Sequence, residues 1–137
     1  MIVDTSALVA IAVGEWEWEA LLYAISTSPT VVPAPALTEL QLVLAGRGPV
    51  AQSAGAGLID RMFTKGLSVV PFDRGHAEIT ITAREMYGKG NGRGGLLNFG
   101  DLLVYAVAKS RGEPILCTGS DFASTDLEIH PASRLNP

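Results

Sequence analysis

With one cysteine, two histidines and few charges, the chain excludes several classes of protein before any motif is read. Cys117 can form no internal disulfide and lies in the apolar run "PILC", where it reads as a small buried thiol suited to a reducing compartment. Two histidines and one cysteine supply no ligand set for zinc. No stretch approaches the roughly 18 uninterrupted apolar residues of a membrane helix. The start "MIVDTSALVAIAV" has no basic leader and is broken by Asp4, so a signal peptide is not expected. Those absences predict a soluble, cytoplasmic protein. Basic residues are also scarce, 10 against 14 acidic, for a net charge of −4. That balance argues against a protein that coats nucleic acid, but not against a nuclease whose own acids lower its charge.

What is present is apolar and ordered. Hydrophobic residues make up 47% and charged residues 18%, which excludes a disordered chain. At 137 residues, with no repeat or long linker, the chain reads as a single domain spanning 1–137. Short apolar runs alternate with longer amphipathic ones. "MIVD", "TVVP", "LSVVPFD" and "EPILCTG" read as strands. "TSALVAIA", with Thr5 or Ser6 as cap, is expected to continue through "EWEWEALLYAIS" as helix, bringing Trp16 and Leu22, with Trp18 as a further candidate, to packed surfaces. Trp16 and Trp18 cannot share one helix face, so one is expected to pack and the other to sit at an interface.

Further helices are expected at "LTELQLVLAGR", "AGAGLIDRMFTKG", "RGHAEITITAREMYG" and "FGDLLVYAVAKSRG". Residues 46–57, rich in glycine and alanine, give a poor helix signal. A turn at "SDFAS" and an extended "LEIHP" complete the chain. Alternation of strand and helix, with strands that are unbroken apolar runs, predicts an α/β fold: a central, mostly parallel sheet covered on both faces. Such sheets bind ligands outside the carboxyl ends of their strands. Asp4 and Asp121 both fall there.

A carboxylate at the end of a core strand needs water, a capping role or a cation. Asp4 could be a cap, a nucleophile or a metal ligand. Glu39 and Asp101 precede apolar helical segments and, taken singly, read as first-turn carboxylates; Asp121, taken singly, reads as a turn residue. Together the four would repel one another and raise their pKa values unless a multivalent cation joined them. Carboxylate oxygens suit Mg²⁺ or Mn²⁺, which could activate water and neutralise charge on a phosphodiester.

"MIVDTSAL", "LTEL", "LNFGDLLVYAVAKSRGEPIL" and "CTGSDFASTDL" resemble, in order, the signature blocks of the PIN-domain family, and more narrowly its VapC-type toxin ribonucleases. The resemblance runs from Ile2 to Leu127. It implies a three-layer α/β/α sandwich and an endoribonuclease dependent on Mg²⁺ or Mn²⁺. It also implies the role of toxin in a toxin–antitoxin pair, a VapB-like antitoxin, a homodimer and a toxin–antitoxin hetero-oligomer. Asp4, Glu39 and Asp101 match the family's acidic metal positions; Asp121 matches a fourth acid that often acts through water. Ser6 and Thr118 match supporting polar positions, whereas Asp126 reads as surface or turn.

"YGKGNGRGGLLNFGD" places Lys89 and Arg93 on a glycine loop ahead of Asp101, either as a solvated connector or as a grip on RNA phosphates. The loop lacks the Gly-Lys-Ser/Thr ending of a phosphate-binding P-loop. His76 and His130 read as structural. An aspartyl phosphatase would need a second Asp where Ser6 stands. A noncatalytic nucleotide- or partner-binding α/β domain would not need four acids in one cleft. A DNA nuclease, or a PIN nuclease that is not a toxin, remains an alternative that phosphodiester chemistry by itself does not separate.

Overall fold

The computed structural model describes residues 1–135. Four parallel strands form one sheet in the order β3-β2-β1-β4: β1 (Ile2–Val3), β2 (Val31–Pro33), β3 (Ser68–Val70) and β4 (Ile115–Leu116). Ile2, Val3, Val32, Ile115 and Leu116 are fully buried, as apolar runs covered on both faces should be. Right-handed crossovers that step from β1 to β2 to β3 put their helices on one face. These are α1 (Thr5–Val13), α2 (Trp18–Thr27), α3 (Ala34–Gly46) and α4 (Pro49–Thr64), with α1 packed on α2, α3 and α4. The return from β3 to β4 puts α5 (Arg74–Tyr87) and α6 (Phe99–Arg111), packed on each other, on the opposite face. The result is an α/β/α sandwich. Strand order reverses between β1 and β4, and the carboxyl ends at such a reversal are where sheets of this kind form a ligand crevice.

One open choice is decided and three local expectations are corrected. The cap of α1 is Asp4 itself, not Thr5 or Ser6: its side chain accepts from the Ser6 amide at 3.0 Å. The helix through residues 5–26 is broken, because Gly14 takes a left-handed C-terminal conformation (φ 70°) and Glu17 follows with φ 59°. A non-glycine residue in that region is strained by about 1–3 kcal/mol. Ion pairs hold the turn on both sides, Glu15 with Arg47 and Glu17 with Arg134 (2.7 Å). Trp16 at its tip is 80% exposed, while Trp18 and Leu22 pack against the core.

Residues 49–64 are helical despite their glycines, and Gly55 is needed there. A Cβ at that position would lie 2.1 Å from Leu44 Cδ1, so the close approach of α3 and α4 offsets the poor propensity. Finally, α3 starts at Ala34, with Pro35 in its first turn where no intrahelical N–H is missed. Glu39 therefore lies in the second turn, and simple interaction with the helix start does not account for it.

His76 is structural. Its Nδ1 accepts from the Asp73 amide (3.0 Å) while its own amide donates to Asp73 Oδ1 (3.2 Å), closing a capping box on α5. Beyond β4, the chain returns alongside the sheet through bridges Ile115–Ile129 and Thr118–Arg134, the extended segment expected from "LEIHP". No described helix is long and apolar enough to cross a membrane.

Candidate active site

The crevice is built from the ends of β1 and β4 and from the sides of α3 and α6. Asp4 still belongs to the sheet through its backbone, its amide donating to Leu116 O at 2.9 Å. Its buried carboxylate turns into the crevice, where Oδ2 accepts from both the amide and the hydroxyl of Ser6. Ser6 Oγ in turn accepts from the Thr118 amide (3.0 Å), so Ser6 ties the end of β1 to the end of β4. The Thr118 contribution is thus its backbone. Thr5 Oγ1 donates to Ala36 O at 3.3 Å, fixing α3 one turn before Glu39.

Asp101 is the third residue of α6, and a reciprocal box holds it. Its amide donates to Asn98 Oδ1 and its Oδ2 accepts from the Asn98 amide, both at 2.9 Å. Between them sits Gly100, where a Cβ would fall 2.2 Å from Glu39 Oε2. The missing side chain lets the Glu39 carboxylate lie against the first turn of α6. Asp121 stands exposed on the turn after β4; that turn is anchored by buried Phe122 and by Ala123 N donating to Ser120 O (3.1 Å).

Asp4 and Asp101 both feel the negative charge of neighbouring acids. Burial pushes Asp101 up to about 7; the Asn98 amide opposes this, and the negative charges of Asp4, Asp121 and Glu39 add to it. Asp4 is also raised, by burial first, with the Ser6 bonds opposing and Glu39 adding. The Cys117 thiol is pushed up to about 12 by burial and by Asp4, so it remains a protonated, 0%-exposed neighbour. The leading charges acting on Asp4 and Asp101 are all carboxylates.

Among the described residues, no three acidic, histidine or cysteine side chains already close into a cation cage. Uncompensated carboxylates repel, and both Asp4 and Asp101 commit Oδ2 to a helix start. The donors are nevertheless hard oxygens of one charge sign around a glycine-lined gap, a set that fits a divalent cation such as Mg²⁺ or Mn²⁺.

Lys89 and Arg93 lie on the loop between α5 and α6, exposed and in no ion pair with the described residues. Asn91 orders the loop by accepting from the Arg93 and Gly95 amides (2.8 and 3.1 Å). Asp126 stays out of the crevice: it accepts from Tyr105 Oη at 2.7 Å and pairs with Lys109, on the same side of α6 as Asp101 but one and two turns further along. Sequence reasoning missed Asn98 as the partner of Asp101, although Asn-x-x-Asp spacing signals a capping box.

A separate cleft of about 680 Å³ opens between α1, α2 and α4, lined by Ile11, Leu22, Ile25, Leu58 and Met62 with Arg61 and Lys65. It contains none of the four acids.

Strand order, the crevice at its reversal and the four carboxylates define a class: the chain belongs to the PIN-domain family, whose profile matches residues 1–127. Within the curated proteins it is 44% identical over 134 residues to ribonuclease VapC36 of Mycobacterium tuberculosis (strain ATCC 25618 / H37Rv), covering 94% of this chain and 92% of that one. Among solved structures, VapC20 of M. tuberculosis, a sarcin–ricin loop cleaving toxin, superposes with a TM-score of 0.70 at 21% identity, covering 95% and 98% of the two chains. VapBC2 from Rickettsia felis, bound to a DNA fragment from its promoter, gives 0.70 at 14% identity, with 98% and 96% covered.

Proposed function

We propose that this chain is a metal-dependent endoribonuclease of the VapC type, the toxin of a toxin–antitoxin pair, with its reaction centre at Asp4, Glu39, Asp101 and Asp121. The observation that carries this reading is the set of acids at the switch point: burial first, and then the charges of Asp4, Asp121 and Glu39, raise Asp101 to about 7. Similarity at 44% identity to a ribonuclease over nearly the whole chain supports RNA as substrate. Asp4, Glu39 and Asp101 would hold Mg²⁺ or Mn²⁺, with Asp121 acting directly or through water. When bound, such an ion supplies a water of lowered pKa and neutralises charge on the phosphodiester.

The residues of the chain prepare for that chemistry. Ser6 fixes the Asp4 carboxylate and locks β1 to β4, so the two strand ends cannot drift apart. Asn98 orients Asp101, and Gly100 admits Glu39. Lys89 and Arg93, exposed on the loop that leads into α6, would meet RNA phosphates, which a net-acidic protein otherwise repels. The antitoxin partner is proposed from the toxin–antitoxin structures that share this fold. The apolar cleft with Arg61 and Lys65 suits an amphipathic segment bearing acidic residues.

Cleavage of defined single-stranded RNAs by the purified chain, with Mg²⁺, Mn²⁺ or chelator and with the cut ends mapped, tests the reading. Metal-dependent cuts that vanish in Asp101→Asn are expected. Full cleavage in chelator with no residual metal would sink the mechanism.

A further inference from the structure

Phe99 is the first residue of α6 and stands two positions before Asp101, yet it is 78% exposed. The core makes no use of it: the buried face of α6 is formed by Val104, Tyr105, Val107 and Ala108. Single exposed apolar residues are ordinary. This one differs in where it stands and how firmly. Leu97, buried at 1%, anchors the chain as it leaves the glycine loop, with its amide donating to Tyr87 O at 2.9 Å. The Asn98–Asp101 box then clamps the backbone on both sides of Phe99, and Gly100 is seated on the Glu39 carboxylate. Phe99 and Asp101 project from different sides of the first turn of α6, with Gly100 between them against Glu39, so the ring stands at the rim of the site, about one helix width of 10–12 Å from the acid and within about two nucleotides of it. Other exposed aromatics, Trp16, Tyr23 and Phe63, lie on the α1–α2 turn, on α2 and on α4, without such a connection to a site carboxylate.

We propose that the Phe99 ring is a stacking platform for one base of single-stranded RNA near the phosphate to be cut. This rests on the ribonuclease reading of the acidic crevice. A base has a π-face whatever its identity, and an aromatic ring next to backbone-gripping cations is how proteins hold single strands. Lys89 and Arg93, free of ion pairs with the described residues, are those cations, on the loop that leads into Phe99. An exposed ring with no packing role leaves its face open, and the clamped backbone limits the entropy lost when a base settles on it.

The test uses a single-stranded RNA spanning a mapped cut, fluorescently labelled, and the same RNA made abasic at each position in turn. Binding is measured at constant Mg²⁺ in an Asp4→Asn background, to separate binding from cleavage. Phe99→Ala should weaken binding about five- to a hundredfold, Phe99→Leu nearly as much, and Phe99→Trp little. At one abasic position the Phe99→Ala penalty should disappear, because the stacking partner is already gone. The melting temperature should stay within the scatter of the parent, since the ring is exposed. Unchanged affinity in Phe99→Ala, full rescue by Leu, or a penalty that persists on every abasic RNA would overturn the proposal. So would unchanged RNA affinity together with lost self-association in sedimentation, which would make the ring a chain–chain contact. Wild-type cleavage with no Phe99 effect sinks this inference alone; a wild type that cuts no RNA with either metal sinks the ribonuclease reading and this with it.

Discussion

Asp101 and Asp126 are two carboxylates on the same side of α6, and they live in opposite worlds. At one end of the helix, Asp126 is exposed, receives the Tyr105 hydroxyl and pairs with Lys109; those groups, Lys109 first, hold its carboxyl below the ordinary range. At the other end Asp101 is half-buried and surrounded by Asp4, Asp121 and Glu39, and is raised to about 7. The first arrangement is complete as it stands and ties the chain after β4 to α6. The second repels itself and waits for positive charge. A fold can neutralise an acid cheaply with a nearby lysine, so four acids left without one mark a place built for something that binds.

The largest effect should come from the incomplete end. Asp4→Asn and Asp101→Asn are expected to lower RNA cleavage by more than about 100-fold, beyond the ~10–100-fold typical of groups that only orient a ligand. Without metal, the same changes should leave thermal stability equal or higher, because they relieve repulsion and burial of charge. Calorimetry with and without Mg²⁺ checks the contrast: the cation should raise the wild-type melting temperature and raise that of Asp101→Asn less. Asp126→Asn should show no such dependence on the cation.

The two ends should also respond to pH in opposite directions. Asp101 holds its proton more tightly folded than unfolded, where the ordinary value is 3.8. Between about 4 and about 7 the folded state therefore binds more protons, and metal-free stability should fall as pH rises through that window. Asp126 is lowered, so its contribution is present above the ordinary carboxylate range and lost as pH falls through it. Denaturant midpoints from pH 3 to 8 in chelator, for wild type, Asp101→Asn and Asp126→Asn, would separate the slopes. A wild-type midpoint that does not decline from pH 4 to 7 more than that of Asp101→Asn would contradict the assignment.

Replacing both Lys89 and Arg93 with Ala tests whether the crevice's missing positive charge is supplied for RNA by the neighbouring loop. Loss of two single-strand phosphate contacts should flatten the salt dependence of binding by about 1.4 logarithmic units per decade, uniformly across sequences. An unchanged slope returns the loop to a connector. The smallest effect belongs to the completed end: Tyr105→Phe removes one hydrogen bond to an exposed carboxylate and should cost about 1 kcal/mol in urea unfolding, with cleavage nearly intact.

Much of this was legible in the sequence, for physical reasons that can be named. Ile2–Val3, Val31–Val32 and Ile115–Leu116 are unbroken apolar runs because both faces of the sheet are covered, and strand ends then locate Asp4 and Asp121. The family resemblance placed Glu39 and Asp101, whose apposition depends on Gly100, a contact between helices that no local pattern records. What escaped was tertiary in origin. Gly55 looks like a poor helix residue until Leu44 is packed against it. The break at Glu17 is held by Arg134, 117 positions away, so no local pattern could predict it. Asp4 as cap was one of the readings the sequence left open, because Thr5 and Ser6 suit that role as well.

Cys117 turns the crevice into something that can be timed. The lone thiol sits at the end of β4 with no exposed surface, one residue from the Thr118–Ser6 tie, and is kept protonated by burial and by the acids beside it. A thiol reagent can reach it only when this end of the sheet opens. Its labelling rate is thus a clock for that opening, readable without RNA, activity or an engineered cysteine. Anything that draws the four carboxylates together should slow the clock; anything that drives them apart should make it run fast.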